Sequence, residues 1–471
     1  MSFLIYDLSF LVIFSIAIGI FLYVKRKNLI KDGIMYLYKT RIGLEIIEYL
    51  GKRNKKLMKF FSYIIVVTGY LLMALSLYLM VQIVWIFSNP EFVKIIKVPP
   101  IMPLIPYLPS LFQVTWLPPF YFTYWILALA IVAIAHEGFH GIFARFYNIK
   151  IKSTGFGFLG PFLAFFVEQD DKQMQKAKIF PQLTILGAGV FANVLCAIIF
   201  GIMMLGFMNI AYSPQGIAFN DYTYSVGSLS DLNNSTFDGQ HIKIDGVNLT
   251  GVILANKTYF VFDQFLDKNY TKTLANNSEL QFYWDAPAIK NSVKGAIIEI
   301  NGKEIINSKN FSDEISKFNP GEKIKITTKF KEGINTTILN YDLVLGEDYT
   351  NSSKPIIGTA TIVKSSGLIR TMIFGTLGLF RDPVLNYEPK FNEELVIFIY
   401  NLFLWLVLIS FSVAVTNMMP LGIFDGGRFF YLSVLAVTKK QKVAEIAFKF
   451  ATWFLLGLLA LVMILWFIGI R

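Results

Sequence analysis

The sequence is poor in cysteine, histidine and charge. Its single cysteine, Cys196, excludes an intramolecular disulfide, and we interpret it as a small buried residue within an apolar run. Charged residues make up only 16% of the 471 residues, whereas hydrophobic residues make up 55%, and the mean hydropathy is +0.54. Soluble globular domains do not have this balance, so the composition indicates a polytopic membrane protein.

The net charge of +11 does not indicate a nucleic-acid partner, because the basic residues follow a membrane topology. Residues 25–59 carry 11 Lys or Arg against 3 acids and lie between two apolar runs. The positive-inside rule makes this segment cytoplasmic and predicts six spans with both termini outside. The runs long enough to span lie at about 3–24, 61–87, 118–147, 183–210, 395–418 and 447–470.

Two further apolar segments are too short to span. Residues 155–167 contain three glycines and one proline, and we interpret them as a re-entrant hairpin. Irregular backbone at membrane depth persists only against protein or a wet cavity, which such a hairpin requires. Residues 368–380 are interpreted as a helix at the outer interface.

Between the fourth and fifth spans, residues 211–363 are polar, with strand-like alternation. All nine N-x-S/T sequons of the chain lie here, which predicts an extracytoplasmic domain, although an Asn-rich domain also forms sequons by chance. The sequons are at Asn233, Asn234, Asn248, Asn256, Asn269, Asn276, Asn310, Asn335 and Asn351. The predicted domains are therefore a membrane region over 1–210, this domain over 211–363, and a second membrane region over 364–471.

From about residue 290, this domain has the signals of a strand, an Asn-Gly turn, a helix, a Pro-Gly turn and a second strand, in that order. The order resembles a PDZ domain of the kind fused to membrane proteases. Residues 211–289 match no motif, and a second, diverged copy stays an alternative for them. We therefore predict an α+β or mostly β, PDZ-like domain inserted between helical membrane regions.

His136, Glu137 and His140 form the pattern H-E-x-x-H within the third apolar run. On a helix, residues i and i+4 share a face, so both histidines can bind one metal while Glu137 holds a water beside it. A hydrolytic zinc site needs a third protein ligand and an open position for water. The remaining histidine, His241, lies in the polar domain and is interpreted as a surface residue.

Asp425 is the predicted third ligand. It lies in the apolar segment NMMPLGIFDGG at 417–427, whose proline and glycines break the helix and free the backbone to turn. A charged carboxylate at membrane depth costs on the order of 2.5–3.5 kcal/mol, so it persists mainly where it is paired or bound to a metal. The alternative is an Asp that caps a helix beginning near Gly426. The incomplete metal motif favours the ligand role, and two His with one carboxylate suit zinc best.

Together, H-E-x-x-H at 136–140 and N-x-x-P-x-x-x-x-D-G at 417–426 resemble the site-2 protease family of intramembrane zinc metalloproteases. The resemblance covers about 118–210 and 395–440. It implies a zinc site formed by His136, His140 and Asp425, with Glu137 as the general base.

Two asparagines are weaker candidates for binding substrate or the oxyanion. Asn417 opens the second motif, and an amide there can stabilise the tetrahedral oxyanion. Asn193 belongs to a Gly-Pro-x-x-Asn element of the family, in which this chain has Val190 at the proline position. The alternative for Asn193 is a hydrogen bond between helices.

The resemblance implies an enzyme of the cell membrane that hydrolyses peptide bonds within or near transmembrane segments, as in regulated intramembrane proteolysis. Its partners are then transmembrane substrates, the lipid bilayer and an upstream site-1-type protease. We also hypothesise that the hairpin at 155–167 binds an extended substrate by strand pairing. The domain at 211–363 either docks substrates already cut outside or excludes substrates with large outer domains.

Three other functions stay open. A prenyl-protein-type protease also uses H-E-x-x-H, but with a downstream glutamate as third ligand, for which Glu393 and Glu394 are the nearest candidates. A zinc transporter needs polar residues on several spans, and these spans have few. A catalytically inactive zinc-binding chaperone typically lacks the glutamate or a ligand. Substrate identity and oligomeric state stay open.

Overall fold

A computed structural model describes residues 3–33, 35–89, 98–112, 114, 117–159, 162–267, 279–332, 335–360 and 384–469. The α-helices within them are α1 (Phe3–Lys25), α2 (Leu44–Arg53), α3 (Lys55–Phe87), α4 (Leu108–Leu111), α5 (Phe122–Phe146), α6 (Asp171–Lys176), α7 (Ile179–Ala211), α8 (Leu229–Asn233), α9 (Pro287–Lys290), α10 (Ser308–Ile315), α11 (Glu393–Asn417), α12 (Asp425–Thr438) and α13 (Gln441–Gly469). The interfacial helix predicted at 368–380 lies outside the described residues.

The strands are β1 (Leu29–Asp32), β2 (Met35–Thr40), β3 (Ile151–Leu159), β4 (Phe162–Gln169), β5 (Tyr212–Ile217), β6 (Asp221–Tyr222), β7 (Tyr224–Ser228), β8 (Thr236–Ile244), β9 (Val247–Leu254), β10 (Lys257–Phe262), β11 (Glu279–Trp284), β12 (Ala296–Ile300), β13 (Lys303–Glu304), β14 (Lys323–Glu332), β15 (Asn335–Val344), β16 (Gly346–Glu347), β17 (Pro355–Ile356), β18 (Thr359–Ala360) and β19 (Leu385–Pro389). Short 3₁₀ turns occupy Arg26–Asn28 and Asp263–Leu266.

Six helices in the described part of the chain are long and apolar enough to cross a membrane, namely α1, α3, α5, α7, α11 and α13. They coincide with the six predicted spans, and the predicted polytopic helical class is confirmed. The chain separates into two compact units. One unit comprises 1–206 and 397–471 and contains most of the membrane helices; the other comprises 207–396 and is rich in strands.

In the first unit, β1 to β4 form one antiparallel sheet in the order β1-β2-β3-β4. In the segment predicted as a hairpin, residues 155–159 and 162–167 belong to two paired strands, β3 and β4, and its re-entrant course stays a prediction. The basic segment before α2 supplies the two other strands. Lys39 on β2 and Ser153 on β3 both donate to the Glu168 carboxylate on β4, at 2.6 Å and 2.5 Å. These hydrogen bonds, that from Lys39 above all, lower the pKa of Glu168 and hold the end of β4 in the sheet.

The metal-motif helix α5 begins against a buried carboxylate. Asp7 on α1 is 1% exposed and accepts hydrogen bonds from the N–H groups of Phe122 and Thr123, both at 2.8 Å. The hydroxyls of Thr123 and Tyr107 donate to it at 2.5 Å each. The first N–H groups of a helix have no acceptor within the helix, so Asp7 caps α5 from a neighbouring helix.

The second unit contains two larger sheets. One has the order β7-β11-β10-β9-β8, and the other has the order β15-β14-β12-β5-β19, with β13 paired to β12. The predicted strands from residue 290 correspond to β12 and β14 and the predicted helix to α10, and the predicted Asn-Gly turn joins β12 to β13. A β-rich domain between the fourth and fifth spans is confirmed, and its likeness to a PDZ domain stays a prediction.

Candidate metal centre

Two helices bring three potential metal ligands together. His136 and His140 lie one turn apart on α5 and are both buried, and Asp425 is the first residue of α12. The two Nε2 atoms are 3.1 Å apart, and Asp425 Oδ2 lies 3.2 Å from that of His136 and 3.3 Å from that of His140. No other group of three His, Cys, Asp or Glu ligand atoms lies as close within the described residues.

The broken helix between α11 and α12 delivers Asp425 to this place. The chain turns over 418–424, and the start of α12 then packs closely against that turn. A Cβ on Gly426 or Gly427 would overlap the backbone carbonyls of Met418 or Leu421. Phe424, and not Asp425, is the N-cap residue of α12, and the Asp425 carboxylate lies within 3.3 Å of both histidine Nε2 atoms. The geometry therefore favours the ligand role of Asp425 over the capping role.

Hydrogen bonds orient both imidazoles. His140 Nδ1 lies 2.6 Å from the carbonyl oxygen of Ile185, which can only accept, so Nδ1 carries a proton and Nε2 is the nitrogen left to bind a metal. The carboxamide of Asn193 lies 3.0 Å from His136 Nδ1, and its Oδ1 has no partner among the described residues. Exchanging the positions of the amide oxygen and nitrogen lets Oδ1 accept a hydrogen bond from His136 Nδ1–H. His136 Nε2 is then left to bind a metal, as in His140.

Glu137 stands beside the three donor atoms without joining them. Its Oε2 accepts a hydrogen bond from the N–H of Val167 on β4 at 3.1 Å. Glu137, His136 and Asn417 line one end of a cavity of about 350 Å³, whose other walls are mainly apolar. A carboxylate in a cavity wall next to a metal can receive a proton from water, the role of a general base.

The family model of Peptidase family M50 matches residues 124–458, a range that includes both motifs. The chain belongs to Peptidase family M50. This is the site-2 protease family of intramembrane metalloproteases, so the predicted family is confirmed. No curated protein gives a significant match to the sequence.

The donor set of this M50 chain fits zinc. In a tetrahedral zinc site with bonds of about 2.0–2.2 Å, neighbouring ligand atoms lie about 3.3–3.6 Å apart. The three observed separations, 3.1–3.3 Å, are within a few tenths of an ångström of this range. The donors are two imidazole nitrogens and one carboxylate oxygen, a set found in hydrolytic zinc enzymes. Each imidazole also has a hydrogen-bond partner on its other nitrogen, as ligating histidines usually have.

Gly189 on α7 has no side chain, and the two histidine rings occupy the space where a Cβ would lie. A Cβ there would overlap His140 Nε2 and lie 2.8 Å from His136 Nδ1. We expect Gly189→Ala to lower metal affinity at least tenfold, because a displaced imidazole no longer points at the shared position. Bound metal per chain and competition with a chelator measure this effect. Gly206→Ala on the same helix is the control, since its Cβ would meet nothing within 4 Å; equal affinities for the two variants would contradict the assignment.

The M50 site brings together five of the six predicted residues in different ways. His136, His140 and Asp425 form the donor cluster, and Glu137 and Asn417 line the adjacent cavity. Asn193 lies behind His136 and contacts it, as a bond between helices. Glu393, one of the two candidates of the prenyl-protease alternative, instead pairs with Lys331.

The contacts made by Gly189, Ile185 and Val167 were not predicted from the sequence. Of these, only Gly189 had a signal, since it precedes Asn193 by four residues and so shares its helix face.

Proposed function

We propose that this M50 chain is a zinc metallopeptidase that hydrolyses peptide bonds within or near transmembrane segments of membrane proteins. The observation that carries the proposal is the cluster of His136, His140 and Asp425, with a carboxylate outside the cluster, Glu137, in the wall of an adjoining cavity. A purely structural zinc site has four protein ligands, whereas this one has three and an adjacent space.

The residues then have distinct roles. His136, His140 and Asp425 hold the metal, which when bound lowers the pKa of water toward about 7 and polarises a carbonyl group. Glu137 takes the proton of the attacking water and passes it to the leaving amine. The amide of Asn417 faces the same cavity, and we assign it to stabilising the oxyanion. Asn193 positions His136 and does not contact substrate.

The edge of β4 is the proposed binding place for an extended substrate. β4 is the last strand of its sheet, and Leu163, Ala164 and Phe165 line the cavity together with Glu137. The N–H of Val167 points to Glu137, away from β3. Alternate residues of a strand present their N–H groups to the same edge, so Phe165 offers its N–H and C=O beside the general base. A substrate helix must unwind before attack, and pairing with this edge satisfies its freed backbone groups.

Phe165→Pro tests this pairing, because proline removes the outward N–H and is tolerated on a strand edge. We expect kcat/KM to fall about 2- to 12-fold, the effect of losing one hydrogen bond of about 0.5–1.5 kcal/mol. Phe165→Leu is the control, since it keeps the N–H and an apolar side chain. Equal kcat/KM for the two variants would remove the strand-pairing hypothesis.

Reconstitution of the full chain in liposomes with a single-span substrate tests the proposed function. We expect cleavage within or near the span, loss of cleavage with a zinc chelator, and recovery on adding zinc. Mass spectrometry of the products locates the cut. Zinc flux across the vesicle without cleavage would support a transporter instead, and zinc binding with neither activity would support an inactive chaperone.

We further propose that the β-rich unit is extracytoplasmic and PDZ-like, and that it either docks substrates released by a site-1-type protease or excludes uncut ones. In support, five of its sequon asparagines are exposed, namely Asn233, Asn234, Asn248, Asn256 and Asn351. Modification of single cysteines placed in this unit by an impermeant reagent assigns its side; labelling only from the cytoplasmic side would overturn the orientation.

A further inference from the structure

The cavity beside the metal cluster continues well beyond the catalytic residues. Its polar side chains, His136, Glu137 and Asn417, lie at one end. The rest is formed by side chains of α5, α11 and β4 and by Leu104 from the loop before α4, nearly all of them apolar. We propose that this cavity is a specificity pocket that receives a large apolar side chain of the substrate residue next to the cleaved bond. This inference rests on the proposed peptidase function.

The pocket is formed by one face of each of two membrane helices. On α5, Leu129 and Ala133 precede Glu137 at intervals of four residues, so all three share a face. On α11, Ile409 and Val413 precede Asn417 at the same interval. Both helices thus present apolar side chains along the same cavity that ends at the catalytic groups. A side chain that enters from the scissile peptide bond must lie against these faces.

The edge of β4 supplies the third wall, through Leu163 and Phe165. This strand is also the proposed partner of the extended substrate backbone. In an extended chain, side chains alternate above and below the strand, so one of the two residues flanking the cleaved bond projects to the pocket side. The pocket therefore accommodates the side chain of one residue next to the cleaved bond, and the side chain of the other residue lies outside it.

The apolar walls determine which type of side chain can bind in the pocket. A polar or charged side chain in this part of the cavity would lose its hydration and find no partner on the apolar walls. An apolar cavity of about 150 Å³ already accommodates benzene, and this cavity measures about 350 Å³. A branched aliphatic or aromatic side chain therefore fits, whereas alanine leaves most of the pocket unfilled.

The test uses the full chain in liposomes and one single-span substrate whose cleavage site has been located. The two residues flanking the cut are varied in turn to Leu, Phe, Ala and Gln, and kcat/KM is measured for each. At one of the two positions, we expect Leu and Phe to exceed Ala by about 10- to 200-fold, the range for filling an apolar pocket. We expect Gln at that position to be cleaved no faster than Ala.

Ala133→Phe and Ile134→Phe form a matched pair of enzyme variants. Ala133 lines the pocket, whereas its neighbour Ile134 is 52% exposed on another face of α5. A phenylalanine at position 133 fills the pocket. The ratio of kcat/KM for the Leu substrate to that for the Ala substrate should therefore fall to about threefold or less. Ile134→Phe should keep the wild-type preference.

Ile409→Ala is a second, independent variant, because it enlarges the pocket rather than filling it. It should shift the preference from Leu toward Phe. Wild-type preferences in both Ala133→Phe and Ile409→Ala would overturn the pocket, as would equal cleavage of all substrates by the wild type. Metal-dependent cleavage of all substrates without a preference would contradict only the pocket proposal. Absence of cleavage of every substrate would contradict the proposed function and, with it, the pocket proposal.

Discussion

Glu137→Gln is expected to abolish peptide hydrolysis while the metal stays bound. Loss of a positioned general base lowers kcat by about 10²–10⁴-fold. The metal should stay because Glu137 is not one of the three clustered donors. Gln also keeps an oxygen that can accept the N–H of Val167, so β4 should keep its place beside α5. Single-turnover cleavage and bound metal per chain, measured on one preparation, separate the two effects.

Glu48→Gln is the control for this experiment. Glu48 is an exposed carboxylate of the same unit that pairs with Lys52 and with Arg145 on α5, and ion pairs of an exposed group contribute at most about 1 kcal/mol. Its removal should leave cleavage close to that of the wild type. A Glu137→Gln enzyme that cleaves at the wild-type rate would exclude Glu137 as the general base. A variant that loses its metal would instead place Glu137 among the ligands.

The parts of this molecule that could be predicted from sequence are those with local causes. The spans follow from runs of apolar residues, and each run is complete within its own helix. The pairing of His136 with His140 follows from the period of one helix. Asp425 was predictable although it is distant in sequence, because a carboxylate in an apolar membrane segment requires a charged partner or a metal.

What could not be predicted depends on contacts between distant segments. Strands β1 and β2 lie in a segment whose many basic residues indicated only a loop, and their place is set by pairing with β3. The capping of α5 by Asp7 joins residues 115 positions apart. The role of Asn193 depends on which side of α7 faces His136, and its residue type fits a substrate contact equally well. In each case the residue type indicated which interaction was possible, but the sequence did not identify the partner residue.

Asp425→Ala is expected to remove the metal. Partners of ligating residues contribute about 10- to 100-fold to metal affinity, so loss of a direct ligand should cost more than about 100-fold. Zinc that binds only the folded state stabilises it by RT ln(1 + [Zn]/Kd), about 2.7 kcal/mol at 100 Kd. Added zinc should therefore raise the melting temperature of the wild type and leave that of Asp425→Ala unchanged, a result independent of catalysis.

Asp425→His distinguishes loss of a ligand from general damage to the turn before α12. An imidazole at this position supplies a nitrogen donor, and three-histidine zinc sites are stable. We expect this variant to recover part of the zinc-dependent rise in melting temperature that Asp425→Ala lacks. If Asp425→Ala bound zinc as tightly as the wild type, the third ligand would have to come from elsewhere. Glu137 would then be the nearest remaining carboxylate of the motif, and the chain would have no free base in the cavity for hydrolysis.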